Sequence, residues 1–237
     1  LRKIAVIIPY FQREAGILGR ALASVFAQTI ADAEIRILVI DDASPFDPVK
    51  EIEAAPTPPA HIKVEILRRE NGGPGAARNT GFAAAAQFAD LIAMLDSDDT
   101  WRPSHLKRAV DALEAGADVY FSDHSNAKGE PHLPATQFQR RIVDEPAIEP
   151  TIVPFVRTCP GKLMAECAAR EYLAHTSSIV YRAAKLGGVR MSTALRSAGE
   201  DHLFFMDLCL ASDLVVFSSE SEVALGDDGV NIYVNAF

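Results

Sequence analysis

Asp96, Asp98 and Asp99 close an apolar run, Leu91-Ile-Ala-Met-Leu95, with Ser97 set among them. Carboxylates crowded this tightly repel one another unless a cation, hydrogen-bond donors or a ligand sit between them. Oxygen ligands beside a substrate phosphate suit a hard divalent ion, Mg²⁺ or Mn²⁺. A solvated acidic turn after a strand has the same local sequence, so the rest of the chain has to decide.

Two other apolar runs also end in polar residues. Residues 3–8 run into Pro9-Tyr10-Phe11, and residues 35–40 into Asp41-Asp42. Aromatic rings at a strand end can stack on a base, and Asp42 can accept a hydrogen bond from an imide N–H. Equally, Tyr10 and Phe11 suit ordinary packing, and Asp42 suits the start of a turn with Ser44-Pro45. The segment Asn71-Gly-Gly-Pro-Gly-Ala-Ala-Arg78-Asn79-Thr-Gly81 follows a third apolar run. Its glycines permit close backbone approach, and a helix N-terminus attracts anions. The spacing matches neither the dinucleotide fingerprint nor a Walker loop. Arg78, in the first helical turns, can reach a base or phosphate or lie on the surface. Far downstream, Gly199-Glu200-Asp201-His202 opens an apolar helix. Acids there complement the helix dipole, and a carboxylate can also take a proton.

These residues need a scaffold that gathers them. Strand patterns at residues 3–8, 35–40, 62–67, 91–95 and 117–122 alternate with helical patterns at 17–27, 48–54, 76–88 and 103–115. Such alternation predicts right-handed crossovers and a mainly parallel sheet. The ends of its strands then lie on one edge, where ligands bind in open α/β sheets. Residues 124–176 lose the rhythm and carry repeated prolines, which predicts a long excursion rather than a core element. The pattern returns with a strand at 177–181, a helix at 201–210 and two short strands at 214–217 and 223–225. No internal repeat or low-complexity tract is present.

With 237 residues, 49% hydrophobic and 23% charged, the chain has the composition of an ordinary globular protein with ample core. A net charge of −9 argues against a nucleic-acid groove. The cysteines, Cys159, Cys167 and Cys209, lack metal-site spacing, and their odd number argues against a disulfide framework. A reducing cytoplasm fits that usage. No apolar run reaches the length of a membrane span and no signal peptide is visible. A start at Leu1 rather than Met suggests a fragment of a longer chain.

Taken in order, Ile7-Ile8-Pro9-Tyr10-Phe11, Val39-Ile40-Asp41-Asp42-Ala43-Ser44, the 71–81 segment, Leu95-Asp96-Ser97-Asp98-Asp99-Thr100-Trp101-Arg102-Pro103 and Glu200-Asp201 resemble the inverting GT-A glycosyltransferases of family 2. The resemblance is dense over the first 120 or so residues and thinner over 175–210. It implies a nucleotide-diphospho-sugar donor, UDP-linked by preference, and a divalent metal, Mn²⁺ or Mg²⁺. By the same resemblance Phe11 stacks on the base, Pro9 contacts it through backbone, and Tyr10 and Asn71 stand nearby. Asp42 meets the base edge, Arg78 the base or diphosphate, and Asp96 the ribose, with Ser97 between. Asp98 binds the metal, Asp96 and Asp99 being further candidates. Asp201 is the general base, with Glu200, Asp123 and His124 on the acceptor side, although His124 also suits an ordinary loop histidine.

The expected architecture is a GT-A fold in one domain. Its nucleotide-sugar half covers residues 1–122, and its acceptor and catalytic-base half covers 123–237. The acceptor class is a saccharide or lipid-linked saccharide, which would place the protein in the cytoplasm or at the cytoplasmic membrane face. The sequence sets no oligomeric state. Tyr10-Phe11-Gln12 departs from the family's common Thr-Tyr-Asn, leaving base preference open. The processive synthase signature is absent, pointing to single-sugar transfer. Where many relatives carry a late histidine near the metal, this chain has Gly226-Asp-Asp-Gly-Val-Asn231. That region faintly resembles transferases extending lipid-linked exopolysaccharides such as succinoglycan. Two other readings stay open: a nucleotidyltransferase, though it lacks a basic glycine loop after the first strand, and a non-catalytic nucleotide-sugar-binding module.

Overall fold

The computed structural model describes residues 1–142, 145–195 and 198–227. The first strand, β1 (Arg2–Tyr10), is followed by α1 (Ile17–Phe26), β2 (Ala33–Asp41), α2 (Pro48–Ala54), β3 (Ile62–Arg68) and α3 (Pro74–Ala85). Next come β4 (Leu91–Met94), β5 (Thr100–Trp101), α4 (His105–Glu114) and β6 (Val119–Ser125). The second half holds α5 (Gln137–Arg141), β7 (Glu149–Pro150), β8 (Val156–Pro160), α6 (Gly161–Ala168), β9 (Val180–Arg182), α7 (Ala183–Leu186), α8 (Glu200–Leu210) and β10 (Leu214–Ala224). Single 3₁₀ turns lie at Leu133–Ala135 and Thr176–Ser178.

The strands form one mixed sheet in the order β3-β2-β1-β4-β9-β6-β10-β8-β7, with β5 paired to β10. Strands β3, β2, β1 and β4 are mutually parallel. The short β9 lies antiparallel between β4 and β6, and β10 runs parallel to β6. Strand β1 is buried on both faces, as its unbroken apolar run requires. Ile4, Val6 and Ile8 face the α1 and α4 layer, while Ala5 and Ile7 face the α3 and α8 layer. Gly81 brings α3 onto this second face: a Cβ there would stand 2.4 Å from Ile7 Cγ2. Arg78, one turn earlier on the helix, is thereby carried under the strand ends.

Three elements differ from the sequence reading. The two short strands expected at 214–217 and 223–225 are one strand, β10, whose register against β6 shifts around Ser221. The polar run Ser218–Ser221 interrupts the apolar pattern and bulges from the ladder with β6, while the strand continues through it. The strand expected at 177–181 begins only at Val180, because Thr176–Ser178 turns into the acidic loop. The largest correction concerns residues 124–176. This stretch is core, not an excursion: Leu133, Phe138, Ile142, Ile148, Cys159 and Met164 are all buried in the main cluster. Three of its prolines sit at element edges, Pro134 in the first 3₁₀ turn, Pro150 ending β7 and Pro160 ahead of α6, which breaks the periodicity of the sequence.

Candidate active site at the strand ends

A cleft of about 770 Å³ opens at the C-terminal edge of β1, β2 and β4. Pro9, Tyr10, Phe11, Asp42, Asn71, Arg78, Asp96, Ser97, Asp98, Asp99, Glu200 and Asp201 all border it. Asp123 and His124 do not. Gln12, noted above only as a departure from the family pattern, borders it as well, as do Tyr172, His175 and Thr176, which the sequence did not mark.

At the β1 and β2 end, Tyr10 is fully buried and its hydroxyl donates to Glu51 Oε1 at 3.4 Å, so its ring is a packing element. Burial and the Glu51 charge raise that phenol far above its usual range. Phe11 is half-buried at the cleft wall. Asp42 binds the glycine loop: Oδ2 accepts from Gly73 N at 2.8 Å and Oδ1 from Gly72 N at 3.0 Å. Asn71 Nδ2 returns a bond to the Asp42 carbonyl at 2.9 Å. The loop and the end of β2 therefore move as one unit.

The acidic loop divides into three environments. Asp96 is neutralised: Oδ1 accepts from Arg78 Nη2 at 2.6 Å and Oδ2 from Thr176 Oγ1 at 3.3 Å. Burial disfavours its charge, yet Arg78 and then His175 hold its carboxyl below the usual range. Asp99 is structural: Oδ2 accepts from Ser177 Oγ at 2.5 Å and Oδ1 from Gly226 N at 3.0 Å. Gly226 is packed so closely that a Cβ would lie 2.1 Å from the Asp98 carbonyl oxygen, so only glycine lets that strand-end loop close under the acids. Asp98 differs from both. Among the described residues its carboxylate takes a hydrogen bond from its own backbone amide and from no other residue, and burial, then Asp99 and Asp96, push it up to about 7. Asp99 is also pushed to about 7, by burial and then Asp96.

Acids crowded in this way suit a cation among them. The donor types fit: His175 Nδ1 lies 3.4 Å from Asp99 Oδ2, and ligand atoms of Asp96, Asp99 and His175, a group that does not include Asp98, all fall within 4.8 Å of one another. The carboxylates suit Mn²⁺ or Mg²⁺, and an imidazole among them favours the softer Mn²⁺. His175 had no distinguishing pattern in the sequence; only the His-Thr-Ser-Ser turn before β9 marks it. The late Gly226–Asn231 region noted above lies largely outside the described residues, which end at Asp227.

Across the cleft, α8 opens on Glu200 and Asp201, both buried. Arg78 Nη1 stands 3.6 Å from Glu200 Oε1, so one buried guanidinium faces carboxylates of both halves. Arg78 is therefore spent largely on Asp96 and Glu200, a tighter arrangement than the free reach toward base or diphosphate expected from sequence. Burial raises the Glu200 carboxyl even against Arg78. Asp201 Oδ1 accepts from His202 N at 2.8 Å and Oδ2 from the Tyr172 hydroxyl at 2.9 Å. Asp123, expected near the acceptor, instead organises a loop: its Oδ1 accepts from the backbone of His124, His132 and Leu133 at 2.8–3.1 Å. His124 is buried behind the cleft, stacked on His132 at 4.6 Å.

The ordered strand-end motifs correspond to a family model described as Glycosyl transferase family 2, which matches residues 5–158. The chain belongs to glycosyl transferase family 2. It is thus a glycosyltransferase with a GT-A fold. The succinoglycan biosynthesis protein ExoW of Rhizobium meliloti (strain 1021) is 36% identical over 98% of this chain and 71% of its own length. ExoU, a succinoglycan biosynthesis protein of the same organism, is 30% identical over 79% of this chain and 52% of its length. An uncharacterized glycosyltransferase of Nostoc sp., alr2836, is 37% identical over 52% of this chain, which spans only 36% of that protein. Among solved structures, S. aureus TarS 1-349 in complex with UDP-GlcNAc matches with a TM-score of 0.71 and 22% identity, covering 99% of this chain and 61% of that one. The mannosyltransferase PcManGT of Pyrobaculum calidifontis, in complex with GDP-Man and Mn²⁺, matches with a TM-score of 0.65 and 14% identity, covering 98% and 59%. At these identities the structural likeness is one of fold.

Proposed function

We propose that this family 2 member is an inverting, divalent-metal-dependent transferase. It moves a hexose from a nucleotide-diphospho-sugar, UDP-linked, to a saccharide or lipid-linked saccharide in polysaccharide assembly. One observation supports the reading: an acid that no other described residue bonds, Asp98, and a carboxylate held by a tyrosine hydroxyl, Asp201, border the same cleft. Inversion needs the leaving group on one face of the sugar and the attacking hydroxyl on the other, and two separate acids can serve the two.

Phe11, with the Pro9 backbone and the loop tied down by Asp42 and Asn71, receives the base. Asp96, held by Arg78, faces the ribose, with Ser97 beside it. Asp98, with Asp96, Asp99 and His175 around it, would hold the ion, which when bound neutralises charge growing on the leaving diphosphate. Asp201 takes the proton of the acceptor hydroxyl as that oxygen bonds to the anomeric carbon and the bond to the diphosphate oxygen breaks. Holding both reactants in one cleft supplies the other large contribution to rate. The relatives named for succinoglycan biosynthesis support an exopolysaccharide acceptor. No helix of the described residues is long and apolar enough to cross a membrane. A cytoplasmic protein meeting lipid-linked acceptors at the inner membrane face fits this reading.

The test is nucleotide release from UDP-glucose, UDP-galactose and UDP-N-acetylglucosamine, with and without Mn²⁺, Mg²⁺ and EDTA. Release of UDP with transfer to a saccharide, lost in EDTA and in Asp98→Ala, is the expected result. Pyrophosphate release would overturn the reading in favour of nucleotidyl transfer. Full activity of Asp98→Ala would overturn the assignment of the metal site.

A further inference from the structure

We propose that Tyr172 is the positioning residue for Asp201, and that the histidines behind it exist to hold its ring in place. The inference rests on the reading of Asp201 as general base and adds a residue outside the strand-end motifs.

Asp201 needs one fixed orientation, since it must present an unshared lone pair to a hydroxyl in the cleft. Its two oxygens are held from two directions. Oδ1 takes the backbone N–H of His202 in the first turn of α8, and Oδ2 takes the Tyr172 hydroxyl. A carboxylate oxygen has two acceptor sites, so Tyr172 occupies one on Oδ2 and leaves the other for the acceptor hydroxyl.

Tyr172 is itself over-determined. Its carbonyl is 2.8 Å from His132 Nε2. Its ring stands edge-on to His124, His132 and His175, with centroids 6.2–6.5 Å apart and interplanar angles of 71–83°. His202 packs against it as well, its ring 5.8 Å from that of Tyr172. His132 and His124 are stacked together, and Asp123 fixes the turn that carries them by accepting three backbone N–H groups. The Asp123-His124 pair thus acts on the site at one remove, through Tyr172. A tyrosine suits the post because its two rotatable side-chain bonds leave little freedom once the ring is packed.

The test compares wild type, Tyr172→Phe and Asp201→Asn, using whichever of the three UDP-sugars named above supports UDP release. Calorimetric binding of that donor reports whether the cleft is intact. Removing only the hydroxyl should lower kcat roughly 10–100-fold, the cost of a misplaced catalytic group. Donor KM should stay unchanged. A loss confined to kcat is what a misplaced base gives, whereas a purely structural role would weaken donor binding as well. Should Tyr172→Phe lose donor binding, 3-fluorotyrosine at position 172, which keeps the hydroxyl, replaces it and should restore both kcat and donor affinity. Failure of that variant to restore kcat overturns the inference. A wild-type kcat in Tyr172→Phe, with Asp201→Asn inactive, also overturns it and leaves the general-base reading standing. An active Asp201→Asn overturns both.

Discussion

The strand-end half and the α8 half of the cleft are built by different means. In the first, β1, β2 and β4 run parallel, and each delivers its polar residues as the chain leaves the sheet. Their positions follow from the sheet: Asp42 stands just past the end of β2, and the acidic loop directly follows β4. In the second, Asp201 sits in the first turn of a helix, and its orientation comes from Tyr172, which lies between elements, and from the turn that supports Tyr172. A parallel sheet makes a binding edge by default, whereas a proton-transfer group has to be oriented by contacts specific to the chain. Arg78 is the buried bridge between the halves, facing Asp96 on one side and Glu200 on the other.

If chemistry and donor binding belong to different halves, they should separate by mutation. Asp201→Asn should lower kcat by about 10²–10⁴-fold, the span of general-base contributions. Donor affinity measured by calorimetry should stay within about twofold of wild type in the same variant. A parallel fall in donor affinity would dissolve the division. The second half should also be as load-carrying as the first despite its irregular sequence. Phe138→Ala, in the stretch expected to be an excursion, should cost about 3–5 kcal/mol in urea unfolding, as for a buried aromatic elsewhere. A cost near zero would restore the loop reading. Arg78→Met should destabilise by about 3 kcal/mol, the low end for breaking a buried ion pair, since Asp96 keeps some contact with water. It should also weaken donor binding and turnover together, as a residue shared by both halves must.

The smallest effect is a matter of pH. In the proposed site an ion needs the Asp98 and Asp99 carboxylates deprotonated, and burial pushes both up to about 7. Lowering pH adds competing protons, so Mn²⁺ affinity should fall at least about tenfold per unit below pH 7 and level off above it. In the metal-free protein the sign for stability is the reverse of a paired acid. A carboxyl raised in the folded state favours folding at low pH, and that contribution is lost as pH rises from the ordinary carboxylate range through 7. Added Mn²⁺ should therefore raise the melting temperature more at pH 8 than at pH 6. Equal shifts at both pH values would remove these two acids from the metal site.

Much of the strand-end half was legible because the signals are local. A buried strand must be an apolar run, and a residue following it by one or two positions lands on the sheet edge whatever the remainder of the chain does. Asp98, Asp42 and Phe11 were found in that way. The α8 half was legible only through Glu200-Asp201, where acids precede an apolar helix. Tyr172 and His175 carried no periodic or compositional mark, and Asp123 and His124 were placed beside the acceptor although they stand behind Tyr172.

The sequence by itself determined the alternating first half, the edge on which its polar residues gather and the family. All three follow from short-range pattern: period, strand length and the order of motifs. Only the tertiary structure decided which acid of the loop is bonded by no other described residue. Asp96 and Asp99 are satisfied by Arg78, Thr176, Ser177 and Gly226, groups 18 to 127 positions away. A carboxylate's character is set by what surrounds it after folding, and in this loop three identical side chains acquire three different environments.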